Sequence, residues 1–133
     1  MLNNMFKASI VITLLALGGA SLFAQDAELT QYQTWMKAAV AANGALRTAI
    51  TAKDDAAIKD NANKEAEAFD NIAKFWAGKH KDDAQKFAET ARDGAKTVAA
   101  AKTPEDQNAA LQSIQATCRG CHTAYRDGSA FKK

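Results

Sequence analysis

Beyond residue 25 the apolar side chains recur at steps of three and four, the period of a helix face, and nowhere alternate as they would in a strand. Four such seams follow one another. The first runs Leu29, Tyr32, Met36, Ala39 or Val40, Leu46, Ile50, interrupted by the polar Asn43, and predicts a helix over residues 27–51. Gly44 inside it costs about 1 kcal/mol against alanine and points to a close helix contact or a slight bend. Lys53-Asp54-Asp55 supplies a turn and a fresh acidic N-terminus. The second seam, Ile58, Ala62, Glu65, Phe69, Ile72, Trp76, predicts a helix over 54–77 with Gly78 as its cap.

The third seam is Ala84, Phe87, Ala91, Gly94 or Ala95, Val98, Ala101. It predicts a helix over 82–101 with Asp82 as N-cap. Its side chains are small after Phe87, which leaves space for a close neighbouring helix or a flat ligand. Thr103-Pro104-Glu105-Asp106 is a helix start: a threonine cap, proline at the first helical position, acids in the first turn. The fourth seam is Gln107, Leu111, Ile114, Cys118, Cys121, Tyr125, with Gly128 closing the helix and a frayed tail after it. Four amphipathic helices with short links predict an all-α fold, an antiparallel up-down-up-down four-helix bundle. Many interior positions are alanine, so the chain without a ligand is expected to pack loosely at one end.

The N-terminus has a different character. Met1 to Lys7 carries one positive charge, and Ala8 to Ala24 is an uncharged, mostly apolar run of 17 residues, short of the ~20 a spanning helix needs. Residues 1–24 read as an export signal cleaved after Ala24, which leaves 25–133 as one domain without a membrane span. With 17 Lys+Arg against 15 Asp+Glu the chain is nearly neutral, so nothing argues for nucleic acid. Neither a nucleophile–base pair, a phosphate loop nor a carboxylate pair argues for an enzyme.

The chemistry is concentrated in Cys118-Arg119-Gly120-Cys121-His122, a C-x-x-C-H segment of the kind that attaches haem c. Residues three and four apart share a helix face, so two thioether bonds and one iron ligand can leave from the same side. A dithiol redox pair would want a βαβ context, and a zinc site would want further ligands where only His80 remains. A plain disulfide in an exported protein is the other alternative. Haem is joined to thiols outside the cytoplasm in bacteria, so signal and motif support one another.

In an up-down-up-down bundle the end of the last helix lies beside the start of the first. Tyr32 or Met36 is therefore the opposite number of His122. Met36 is the only methionine after the signal, and methionine opposite histidine is the usual ligand pair of electron-transfer haems. Simple packing is its other role. His80 falls in the loop at the same end, as a lesser ligand candidate or a propionate contact. Arg126 stands where it can cover the proximal side or a propionate, or favour the helix dipole. Trp76 and Phe75 are expected under the haem end, and Trp35 in a dimer contact or in the core.

The segment Cys118, Cys121, His122, Tyr125, Arg126, on the last helix of an exported bundle, resembles the cytochrome c′ family, including its low-spin cytochrome c556-like members. The resemblance implies a covalent haem c with His122 as proximal ligand. Members with a methionine from the first helix are six-coordinate and carry electrons, and Met36 matches that position. Members with a bulky apolar residue there are five-coordinate and bind NO or CO. Where the family often has an arginine one turn before the distal position, this chain has Tyr32, which favours the six-coordinate form. The expected partner is thus a redox protein, guided by lysines such as Lys79, Lys81, Lys132 and Lys133, or a diatomic gas, with the bundle a monomer or homodimer.

Overall fold

The computed structural model describes the backbone of residues 16–128 and 130–132, and side chains from residue 24 onward. The order is α1 (Ala16–Ala52), α2 (Asp55–Gly78), α3 (Asp82–Ala100), α4 (Pro104–Tyr125), then two short strands, β1 (Arg126–Asp127) and β2 (Ala130–Phe131). By compactness the chain divides into Met1–Gln31 and Tyr32–Lys133. The described part of the first unit is helical, with the Thr30 hydroxyl donating to the Asp26 carbonyl. The second unit is the all-α four-helix bundle.

Pairs along neighbouring helices fix its direction. Trp76 and Glu65 of α2 meet Tyr32 and Asn43 of α1. Asp70 of α2 meets Arg92 of α3. Asp83, Phe87 and Gly94 of α3 meet Tyr125, Gly120 and Ile114 of α4. Each step up one helix is a step down the next, so the bundle is antiparallel. The turns are built locally. Asp54 caps α2 by accepting from the Ala57 N–H at 2.9 Å, and Thr103 caps α4 by accepting from the Asp106 N–H at 3.1 Å.

Several boundaries differ from the expected ones. α1 begins at Ala16 rather than near residue 27, because no proline or cap interrupts the chain there. Most of the expected leader lies outside the described residues, and no described helix is long and apolar enough to cross a membrane. Lys81, not Asp82, is the N-cap of α3, and it caps without a side-chain bond; Asp82 sits inside the first turn. Gly78 is the last residue of α2, with Lys79 as its cap. Of the tail expected to fray, Ala130–Phe131 form a paired strand, while Ser129 and Lys133 lie outside the described residues. Arg126 caps α4, the chain turns at Gly128 (φ 59°), and β1 pairs antiparallel with β2. This returns Phe131 to the bundle, where its ring packs on Tyr32, Phe75 and Trp76.

The core follows the seams with small corrections. Every position of the second seam is buried, Glu65 included. On α3 the buried residues are Ala84, Ala88, Ala91, Ala95 and Val98, so Phe87 and Gly94 stand beside the buried stripe rather than on it. Val40 is exposed and Ala39 buried. Trp35 is half-buried against the core. Gly94 has the role its size suggested: a Cβ there would lie 2.7 Å from Ile114 Cγ1, so the glycine sets the close approach of α3 and α4.

Candidate functional site

At the end of the bundle that holds the α2–α3 turn, the helices leave a gap. Cys118, Cys121 and His122 of α4 line it together, with Tyr32 and Met36 of α1. Phe69, Ile72, Phe87, Ala88 and Thr117 complete an open-sided cleft with about 300 Å³ of empty space, part of it open to solvent. Most of that space is shared with solvent, and the walls are mostly apolar with a few polar groups. The helical spacing of the motif does what the sequence required: two sulfurs and one imidazole reach the same cleft. Phe87 rests its ring against the motif backbone, where a Cβ on Gly120 would be 2.9 Å from Phe87 Cε1. Glycine between the cysteines is what allows this approach.

Burial sets the chemistry of the donors. Both cysteines are free thiols and half-buried. Desolvation raises the pKa of Cys118, with the Glu65 carboxylate adding to the rise. Desolvation and the nearby Cys118 push Cys121 up to about 11. For His122 the same desolvation, helped by the Arg126 guanidinium, lowers the pKa and favours the neutral imidazole, the form that binds metal. Among the described residues no three His, Cys, Asp or Glu side chains gather on one point. Cys118, Cys121 and His122 are instead strung along one face of α4.

The end wall is aromatic. Tyr32, Phe75, Trp76, Tyr125 and Phe131 stack with ring centroids 4.8–5.7 Å apart. The Trp76 indole N–H donates to the Tyr32 hydroxyl at 3.3 Å, and burial pushes the Tyr32 pKa to about 12. Trp76 and Phe75 therefore pack against Tyr32, which lines the cleft, without lining it themselves.

Two expected site residues stand away from the cleft. The Tyr125 hydroxyl donates to the Asp83 carboxylate, while its ring lies on Trp76. Arg126 is exposed and does not line the cleft; its Nε donates to the Gly128 carbonyl at 2.7 Å, while its charge still acts on His122. The hairpin that engages Arg126 was not announced by the tail's composition. His80 is exposed with φ 53° in the α2–α3 turn and is not among the cleft residues. Lys79 lies over the Phe75 ring at 5.5 Å, and Lys132 donates to the Thr123 carbonyl. The sequence did not single out Phe69, Ile72, Phe87, Ala88 and Thr117 as lining. Phe69, Ile72 and Phe87 stood on the seams and Ala88 and Thr117 beside seam residues, but a seam does not say which positions face a gap.

Comparison with protein-family models, with curated proteins and with solved structures finds no match for this chain.

Proposed function

We propose that this chain is a periplasmic monohaem c-type cytochrome of the cytochrome c′ type, close to its c556-like members, and that it carries one electron at a time. The observation that supports this most is the shared cleft: Cys118, Cys121 and His122 on α4, with Met36 on α1, line one apolar gap. Cys118 and Cys121 would anchor the porphyrin through thioether bonds, each S–H adding across one vinyl group so that no oxidant is needed. His122, biased toward its neutral form, and Met36 would hold the iron. The bound haem supplies the one-electron couple. The protein supplies an apolar surround, a thioether ligand that raises the potential, and an aromatic wall that keeps water from one side.

The test is a matured sample of the full chain. Its intact mass should exceed the polypeptide by one haem. Its reduced absorption spectrum should be low-spin and unmoved by CO, and Met36→Ala should make it high-spin and CO-responsive. A colourless sample with two titratable thiols rejects the reading. A native spectrum that is high-spin and shifts with CO instead assigns a five-coordinate, NO- or CO-binding cytochrome c′ with Met36 only packing over the iron.

A further inference from the structure

One buried group has no part in holding the cofactor. Glu65 is 1% exposed, on the buried face of α2, one turn deeper than the cleft residue Phe69. Its Oε1 accepts from Asn43 Nδ2 at 2.9 Å, and its Oε2 is buried with no hydrogen-bond partner in the structure. A carboxylate in that position leaves a charged oxygen unpaired, whereas a carboxylic acid does not. The charged and titratable neighbours are few. From α1 comes Arg47, itself 3.4 Å from Asn43 Oδ1, and from α4 comes Cys118. The residues α3 buries are four alanines and a valine. Asn43 is only half-buried, so the carboxyl is one side chain away from solvent.

Building on the cytochrome reading above, we infer that Glu65 is the proton acceptor of a proton-coupled electron transfer, protonated when the iron is reduced and released when it is oxidised. The coupling is one of proximity: Glu65 lies one turn from Phe69, which lines the cleft, and near enough to Cys118 for its charge to act at that position. An electron from the reduced partner brings one negative charge to that side of the cleft, and a like charge disfavours the ionised carboxyl. One proton from solvent then joins Glu65, and the charge brought into the core is cancelled. By reciprocity, the proton on Glu65 favours the electron by the same factor. In the haem-free chain burial lifts this carboxyl to about 7, against a partial opposing pull from Asn43 and Arg47.

The experiment is potentiometry of the haem-loaded full chain from pH 5 to 9, together with the reduced-minus-oxidised infrared spectrum. The midpoint potential should fall with rising pH across a window near neutrality, by up to tenfold in the redox equilibrium per pH unit, which is 59 mV for one electron. A protonated-carboxyl band should appear on reduction. Glu65→Gln should flatten the slope and remove the band. If that variant fails to fold, Asn43→Ala replaces it and should move the window to higher pH, because it removes a bond that favours the carboxylate. A haem-loaded chain whose potential ignores pH, or whose slope and band survive in Glu65→Gln, overturns this inference and leaves the cytochrome standing. A chain that takes up no haem removes both, and its mass reveals that before any potential is measured.

Discussion

Glu65 also makes the stability of the bundle depend on pH. Its carboxyl rises from an ordinary 4.5 to about 7 on folding. Between those values the folded chain keeps a proton that the unfolded chain has lost, so this group's contribution falls as pH rises through the window. Below 4.5 nothing is lost, and above 7 the whole cost is present, roughly 3 kcal/mol. His122 works the other way, because its lowered pKa makes stability rise with pH below its ordinary value. Asp70 and Asp83, held down by Lys74 and by Tyr125, act only below about pH 4. The difference between wild type and Glu65→Gln isolates the glutamate. Urea melts should show the variant gaining on wild type from pH 5 to pH 8, and a constant difference would contradict the assignment. Both polar members of this pair were visible as breaks in otherwise apolar seams. What periodicity could not say is that Asn43 and Glu65 are opposite one another, since register between helices depends on turn geometry.

At the scale of the helices, two glycines that look alike in sequence behave differently. Gly44 is exposed, and a Cβ there would meet nothing within 4 Å. The close contact or bend expected from it is therefore not what fixes it, and Gly44→Ala should stabilise by up to about 1 kcal/mol. Gly94→Ala should gain the same propensity but force Ile114 away, at a cost of about 1–3 kcal/mol, and so destabilise or at best break even. Thermal melts of the two variants side by side check this, and a stabilised Gly94→Ala would mean that α4 gives way easily. Helix number, order and most ends were legible because seams, the Asp54 and Thr103 caps and Pro104 all agree. The start of α1 was not, because the apolar leader and the amphipathic helix share good helix formers with no break between them.

Across the whole molecule, the placement of the cleft was legible from topology alone, since antiparallel helices must bring residues 32–36 beside residues 118–122. The hairpin was not. Two-residue strands carry too little pattern to be read, and Phe131 gave no sign that it would close the aromatic wall and draw Arg126 with it. The half-buried state of the two thiols has a consequence for biogenesis. The thiolate is the reactive species, and a rise of Cys121 from 9.0 to about 11 leaves about a hundredth of the usual ionised fraction at neutral pH. Alkylation of Cys121 should therefore be about 100-fold slower in the closed bundle than in urea, and equal rates would show that the motif frays open. A chain that folds first hides its sulfurs from whatever must modify them. A covalent attachment at this motif, as proposed above, would therefore have to precede closure of the bundle.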